Sequence, residues 1–226
     1  MSAAEPPQGA NSAPAGGSAA AKPQAWGDHT SAPELALRQL QTLGADAFAH
    51  VNGSLAVHLR GTEALLRRWG NRDAVCLGGL YHAVYGTDRI TGSLADLGMR
   101  GAIAEVIGAE AESLAYLYGA CARETFHPRI GTHDQLMFAD RFAHCEYPIA
   151  ASQLRDLCEM TVANEVDLAL ANARFRSRYG AELIEFFERM RGLASEAALA
   201  AARETLRPAP HDAASAHDAV ARARRE

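Results

Sequence analysis

The sequence is poor in the features that mark several large classes of protein. It has four cysteines in 226 residues, and none of them is spaced as Cys-x-x-Cys or as in a zinc finger. No apolar run approaches the roughly 18 residues of a membrane-spanning helix, and no basic segment followed by an apolar one marks a signal peptide at the N-terminus. We therefore expect a cytoplasmic protein with reduced thiols and no membrane partner.

The sequence also lacks a surplus of positive charge. Its formal net charge is −5, so it has no basic field to attract nucleic acid or anionic lipid. Glycine-rich phosphate loops, Gly-x-Ser-x-Gly elbows and Cys/His nucleophile pairs are also missing. A small molecule, as substrate or as ligand, is the partner that we expect, and the sequence leaves the oligomeric state open.

What is present is the composition of one globular domain with tails. Hydrophobic residues make up 48% of the chain and charged residues 22%. Residues 1–31 are Ala, Gly, Pro, Ser and Gln with little that is apolar and large, which predicts a disordered tail. Residues 32–206 have helical periodicity without sustained period-two alternation, so we predict an all-α domain, and 207–226 as a flexible tail.

Apolar spacing and capping residues place the first helices. We predict helices from Ser31 to Gly44, from Ser54 to Trp69 and from Asp73 to Gly86, and a further one over 103–120 that breaks at Gly108. In the third helix, two glycines, Gly78 and Gly79, lie on the same face as His82. Because glycine weakens a helix, this pair predicts close approach by another helix or by a ligand.

The second half of the chain is less regular at its start. We predict one short helix over 134–143 between two loops, a long helix that Ser152 caps, and a final helix over 181–206. The long helix carries an apolar stripe that Asn164 and Glu165 interrupt. A carboxylate in such a stripe is costly unless it is paired or bound to a metal, so Glu165 is a candidate metal ligand.

The strongest chemical signal is a pair of histidines, His58 and His82, on the inner faces of consecutive helices. A helical hairpin joined at Gly70-Asn71-Arg72 would bring the two faces together. Imidazole is a common ligand of zinc and of non-haem iron, so the pair fits half of a metal site. The competing interpretation is that each histidine is a core residue bonded to a carbonyl group.

Other residues near these histidines are weaker candidates. His50 fits a third ligand, a substrate contact or a capping residue. Tyr85 and Thr87 follow His82 and could direct hydroxyl groups to whatever His82 binds. Asp140 and Asp167 are further carboxylates, each of which an arginine or solvent would also satisfy.

Further histidines lie outside this group. His127 and His133 could line the mouth of a pocket, but we favour the interpretation that both are histidines of surface loops. The His133-Asp134 dipeptide lies outside an apolar helical frame, so we do not interpret it as a metal motif.

Several of these segments resemble the HD-domain superfamily. The first His and the His-Asp helix of that superfamily resemble three motifs of this chain, His58-Leu-Arg-Gly-Thr62, Trp69-Gly70 and Gly79-Leu-Tyr-His82-Ala-Val-Tyr-Gly-Thr87. The same motifs also resemble those of a set of uncharacterised bacterial proteins. Ile107–Leu114 is similar to the Gly-x-Glu-x-Ala segment of the guanosine tetraphosphate hydrolases. The likeness covers roughly residues 46–170.

This resemblance implies a fold and a site. The fold would be an HD-domain-like helical bundle, and Fe, Mn or Zn would be bound by His58, His82 and one carboxylate. The carboxylate would come from Asp140, which lies in a segment similar to the Ala-Asp-Arg motif of the hydrolases, or alternatively from Glu165. His50 and Tyr85 would lie near the substrate.

The chain departs from the HD pattern at three positions. Ala83 stands where an HD protein has its bridging aspartate, and Gly86 and Thr87 stand where the tetraphosphate hydrolases have acids. Without His50 or Asp88 in compensation, the resemblance implies at most a mononuclear centre, so two-metal phosphohydrolysis is not expected. We expect a metal-dependent hydrolase or oxygenase acting on a small molecule; the alternative is a non-catalytic ligand-binding or regulatory domain.

Overall fold

The computed structural model describes residues 31–50, 53–89, 92–132 and 136–207, and this part of the chain is mostly helical. The predicted tail over 1–30 and most of the one over 207–226 lie outside the described residues. The helices are α1 Ala32–Thr42, α2 Leu55–Arg68, α3 Asp73–Leu80, α4 Arg100–Ile107, α5 Ala109–Ala120, α6 Arg123–Phe126, α7 Ala151–Ala171, α8 Ala173–Glu188 and α9 Glu196–Leu206. The strands are β1 Ala49–His50, β2 Gly53–Ser54, β3 Met137–Asp140 and β4 Cys145–Pro148.

The N-terminal helices follow the sequence signals closely. The carboxylate of Glu34 accepts a hydrogen bond of 2.8 Å from the backbone N–H of Ser31, which caps α1. Gly44 follows α1 with a φ of +89°, a conformation that glycine adopts without strain. The predicted break at Gly108 is confirmed, because α4 ends just before it and α5 begins just after it.

The adjacent glycines of α3 allow close helix packing, as the sequence predicted. A Cβ atom on Gly79 would lie 2.2 Å from Cδ1 of Leu66 in α2. A Cβ on Gly78 would lie 3.0 Å from Cβ of Leu114 in α5. The two neighbouring helices therefore contact α3 through faces where only hydrogen atoms fit.

The predicted extension of the third helix to Gly86 is wrong. α3 ends at Leu80, and residues 81–85 form tight turns with i to i+3 hydrogen bonds, such as His82 N–H to the Gly79 carbonyl at 3.4 Å. Gly86 then reverses the chain with a φ of +74°. His82 consequently lies in a turn just beyond the helix, and its direction is set by that turn.

The predicted short helix over 134–143 is also wrong, and the all-α prediction needs correction there. β3 and β4 form an antiparallel hairpin in which Met137 pairs with Pro148 and Asp140 pairs with Cys145. β3 also forms backbone hydrogen bonds with the residues that follow α5. The Ala122 N–H, for example, donates to the Ala139 carbonyl at 2.9 Å. Two paired strands of four residues are too short to show clear alternation in the sequence.

The long helix is confirmed, although its N-cap is Ala150 and Ser152 lies inside its first turn. The predicted final helix is two helices. α8 begins at Ala173, where the Asn172 side chain accepts a hydrogen bond of 2.9 Å from the Phe175 N–H. After α8 the chain turns at Gly192, which has a φ of +81°, and Ser195 caps α9. The single helix predicted over 181–206 missed this turn.

The described core consists of two groups of packed apolar side chains. One group lies around α5, α7, α8, α9 and the β3–β4 hairpin, and the other around α1, α3 and α4. α2, α3 and α5 contribute to both groups, for example through Leu59 and Leu66 of α2. Within the described residues, no helix is both long and apolar enough to cross a membrane.

Candidate functional site

His58 lies on α2 and is held from two sides by α7. Its Nδ1 atom is 2.6 Å from Oδ2 of Asp167, and its Nε2 atom is 2.9 Å from Oδ1 of Asn164. The imidazole is 1% exposed. Because both ring nitrogens face oxygen atoms, the ring is fixed in orientation, and neither nitrogen is open to a further ligand in this arrangement.

Gly61 is what allows Asp167 to reach His58. A Cβ atom on this residue would lie 1.9 Å from Oδ1 of Asp167, so any larger side chain would collide with the carboxylate. Gly61 is in the interior of α2, where glycine costs about 1 kcal/mol relative to alanine. That cost is offset by the buried contact between Asp167 and His58.

His82 approaches His58 from the turn that follows α3. The two ring centroids are 5.1 Å apart and the rings are nearly perpendicular, at 87°. Nδ1 of His82 donates to the Gly79 carbonyl at 2.7 Å, which leaves Nε2 as a hydrogen-bond acceptor. Burial, reinforced by His58, holds the pKa of His82 well below its usual value, so the ring is neutral at neutral pH.

His50 stacks on the other side of His58. It ends β1, in a short hairpin with β2, and its ring lies 4.4 Å from that of His58 at an angle of 14°. Its Nδ1 atom is buried without a hydrogen-bond partner among the described residues. Burial lowers the pKa of His50 to about 4, so this ring is also neutral at neutral pH.

Arg123 brings a positive charge to the same region. Its side chain is 8% exposed, and Nη1 lies 3.8 Å from Oε1 of Glu165, too far for a hydrogen bond. The guanidinium also lies 4.9 Å from the centre of the Tyr118 ring. The Tyr118 hydroxyl is buried with no partner of normal geometry among the described residues.

Glu165 is the carboxylate that shares this region. Its Oε1 atom accepts a hydrogen bond of 3.1 Å from the Asn164 amide. Burial raises the pKa of Glu165, while Arg123 and Arg89 act in the opposite direction. The sequence left a charged partner or a metal open for Glu165, and in the structure its carboxylate faces the guanidinium of Arg123.

These residues border a cavity of about 730 Å³. Its most interior walls include His50, His82, Thr87, Arg123, Asn164 and Glu165. The outer wall is a face of α8 on which Phe175, Tyr179, Glu182 and Phe186 follow one another at helical spacing. A volume of this size accommodates an organic molecule of moderate size.

Two of the sequence-predicted site residues lie elsewhere. The Tyr85 hydroxyl donates to Glu112 at 2.9 Å, and Arg100 binds the same carboxylate. Tyr85 therefore belongs to a contact between the 81–85 turn and α5, and it does not border the cavity.

Asp140 is likewise separate from the histidines in its contacts. Its carboxylate accepts hydrogen bonds from the hydroxyls of Tyr116 and Tyr147 at 3.0 and 3.3 Å. It also accepts from the backbone N–H groups of Phe142 and Ala143 at 2.9 and 2.8 Å. With four donors around it, Asp140 closes the β3–β4 turn and does not extend towards His58 or His82.

The expected metal set is not assembled in this arrangement. Among the described residues, no three His, Cys, Asp or Glu side chains converge as metal ligands would. The reason lies in the donors, because both nitrogens of His58 are engaged and Asp140 is satisfied elsewhere. His82 Nε2 and the Glu165 carboxylate are the two donors of the predicted set that border the cavity.

The sequence interpretation missed several residues of this region. Arg123 and Tyr118 gave no signal, because a single arginine after a helix and a tyrosine within one are ordinary. Asp167 stood only as a weaker alternative, although Gly61 in the interior of α2 was a usable sign of close approach. His127 does border the cavity and stacks on Phe186 at 4.8 Å, while His133 lies outside the described residues.

Comparison with known proteins gives one match. Residues 39–123 match the model of a family described as Domain of unknown function (DUF6817). The comparisons with curated proteins and with solved structures gave no significant match. The matched segment runs from α1 to the start of α6, so it is similar to that family in the part that carries His50, His58, His82 and Arg123.

Proposed function

We propose that this protein binds a small organic molecule in the cavity beside the three histidines, and that Nε2 of His82 contacts the bound molecule. The observation that carries the proposal is the state of the polar groups at that wall. Nδ1 of His82 is fixed by the Gly79 carbonyl, so Nε2 is an oriented acceptor on the cavity wall. Oriented polar groups at the end of a partly apolar pocket are typical of ligand sites.

Neighbouring polar atoms support the same proposal. Nδ1 of His50 and the Tyr118 hydroxyl are buried without a partner among the described residues. Leaving a buried polar group unpaired costs about 1–3 kcal/mol, and most native groups avoid it. A ligand, or the water that it displaces, would supply partners for such atoms.

An HD-like origin of the helical domain is part of this proposal. The sequence motifs around His58 and His82 support this origin. So does the distance of 5.1 Å between the two ring centroids, since the two residues belong to consecutive helical segments. Under this proposal, the scaffold retains the histidine pair, and His58 serves to fix the site through α7. Ligand binding without catalysis is consistent with Ala83 at the position of the HD aspartate.

Blocking the cavity tests the proposal. Leu168 borders the cavity, so the indole ring of Leu168→Trp would occupy part of it. Leu170→Trp is the control, because Leu170 lies two residues further along α7 and is 58% exposed. We expect compounds from a small-molecule library to raise the melting temperature of the wild type and of Leu170→Trp, and not of Leu168→Trp. Compounds that stabilise all three proteins equally, or no stabilising compound at all, would contradict the proposal.

A metal-dependent enzyme is the second candidate, favoured by one detail of His82. A metal-binding histidine commonly donates its other ring N–H to a carbonyl group, as Nδ1 of His82 does to Gly79. His82 and Glu165 would then hold Fe, Mn or Zn, which would activate water or oxygen for a hydrolase or oxygenase reaction. This candidate ranks second because Arg123, 3.8 Å from Glu165, disfavours a nearby divalent cation.

Metal titration separates the two candidates. Zinc, iron(II) and manganese(II) are added to metal-free protein, and bound metal is measured after gel filtration for the wild type, His82→Gln and Glu165→Gln. Stoichiometric metal that both substitutions remove would favour the enzyme. Binding that neither substitution changes would rule out this site for the metal, and the ligand-binding proposal would be retained.

A further inference from the structure

We infer that the ligand of this cavity is an organic acid with one carboxylate on an apolar body, and that its carboxylate binds Arg123. The inference rests on the proposed function, since it assigns a chemical class to the molecule in the same cavity.

The guanidinium of Arg123 is the first argument. Arg123 is 7% exposed and borders the cavity. Its backbone N–H is bonded to Asp88 at 3.0 Å, yet none of its guanidinium N–H groups has a hydrogen bond of normal geometry with a described residue. A buried guanidinium presents a planar set of donors that matches a carboxylate in two parallel bonds.

The charge of the lining is the second argument, and it limits the charge of the ligand. The cavity is bordered by five arginines and four glutamates, whereas the whole chain has a formal net charge of −5. The lining histidines His50, His82 and His127 have lowered pKa values, of about 4 for His50 and about 3 for His127, so they add no charge at neutral pH. With each arginine and each glutamate counted as charged, the surplus is one positive charge, which a monoanion balances and a dianion exceeds.

The apolar part of the cavity lining is the third argument, because it suits an apolar body. Phe175 and Phe186 of α8, Leu168 of α7 and Pro128 all border the cavity. Phe186 is 9% exposed and stacks with His127, which makes a rigid aromatic surface. Apolar area removed from water by such a wall contributes about 25 cal/mol per Å² to binding.

Four probes with one common body test the head group. Binding of phenylbutanoate, phenylbutanol, phenylbutyl phosphate and phenylbutylamine is measured by calorimetry at neutral pH on the full chain. We expect the acid to bind at least tenfold more tightly than each of the other three. Acetate, which has the head without the body, is expected to bind more than tenfold more weakly than phenylbutanoate.

Substitutions locate the carboxylate. Arg123→Gln is expected to abolish the preference for the acid over the alcohol, and Arg89→Gln, at an exposed residue of the same lining, to reduce it. Arg60→Gln is the matched control, since Arg60 is exposed on α2 and does not border the cavity. Should Arg123→Gln fail to fold, Arg89→Gln still gives the required comparison.

Several results would overturn the inference. These are equal affinity for the acid and the alcohol, tighter binding of the phosphate or the amine, and an unchanged preference in both cavity arginine variants. Compounds of another class that Leu168→Trp excludes would refute the acid while supporting the cavity as a ligand site. If no compound is sensitive to Leu168→Trp, the proposed function itself fails.

Discussion

Two buried polar regions of this protein differ in how completely their hydrogen bonds are made. At Asp140, one carboxylate accepts from two tyrosine hydroxyls and from two backbone N–H groups. At the histidine cavity, by contrast, His50 Nδ1 and the Tyr118 hydroxyl are buried without partners among the described residues. Both regions hold charged residues inside the fold, but among the described residues only the first has all of its polar groups hydrogen-bonded.

The difference separates structural polar groups from those available to a ligand. A satisfied carboxylate such as Asp140 holds a turn together, and removing it leaves its donors unpaired. An unsatisfied buried group costs stability, which a bound ligand with a matching polar atom would recover. On this criterion Asp140 is structural, whereas His50 and Tyr118 are groups that the ligand of the proposed function would satisfy.

Lowering the pH should reduce the free energy of unfolding through the cavity histidines, and this is the largest effect that we expect. Burial lowers the pKa values of His50, His82 and His127 in the folded protein, while the unfolded chain has ordinary histidine pKa values near 6.5. The unfolded state therefore binds more protons between pH 6.5 and about pH 4, so stability falls as the pH falls through this range.

Urea unfolding at a series of pH values measures this effect. We expect an uptake of roughly three protons on unfolding near pH 5 from these three groups, and about one proton fewer in His127→Gln. A free energy of unfolding that stays constant between pH 7 and pH 5 would show that the cavity histidines are not buried as neutral rings.

Substitution of Asp140, the acceptor of the fully hydrogen-bonded region, should remove several hydrogen bonds at once. Asp140→Ala leaves two hydroxyls and two backbone N–H groups without their acceptor, and we expect a loss of about 2–4 kcal/mol in the free energy of unfolding. The control is Asp96→Ala, whose carboxylate accepts from the exposed Gly98 N–H, with an expected loss below about 1 kcal/mol. Equal losses in the two variants would contradict the structural role of Asp140.

Gly61→Ala should sharpen the comparison by disturbing the support of His58. The new methyl group would collide with the Asp167 carboxylate, and we expect a loss of about 1–3 kcal/mol on urea unfolding. Gly101→Ala is the matched control, since Gly101 is also helical and a Cβ there meets nothing within 4 Å. That variant should gain up to about 1 kcal/mol, and a similar gain in Gly61→Ala would show that Asp167 moves freely.

Two tyrosines give the smallest and most direct test. Tyr85→Phe removes the hydrogen bond to Glu112 and should cost about 1 kcal/mol on urea unfolding. Tyr118→Phe removes a buried hydroxyl that has no hydrogen bond of normal geometry with a described residue, so it should be neutral or slightly stabilising. The criterion fails if Tyr118→Phe is the more destabilising of the two.

The parts of the fold that could be predicted from sequence are those with long periodic stretches and clear end signals. α2, α7 and the break at Gly108 have both, and the structure confirms them. The β3–β4 hairpin could not be predicted, because four-residue strands are stabilised by pairing with each other and with the end of α5. The turn at Gly192 was hidden because the alanine-rich sequence after it is equally suited to a continuous helix.

The site shows the same division. The approach of His58 and His82 followed from their positions on consecutive helical segments, and the structure places their rings side by side. Asp167 contacts His58 across 109 positions of the chain, and no local pattern carries that contact. Tyr85 was expected near the same pocket as His82, and the turn after Leu80 instead directs its hydroxyl to Glu112.

Asn164 links the two ionisable residues on either side of it. Its amide oxygen faces His58 and its amide nitrogen faces Glu165. One amide therefore supplies the acceptor for the buried ring and the donor for the carboxylate. Because His50 and His82 both pack against that ring, a displacement of Glu165 at the cavity wall reaches all three histidines through a single side chain.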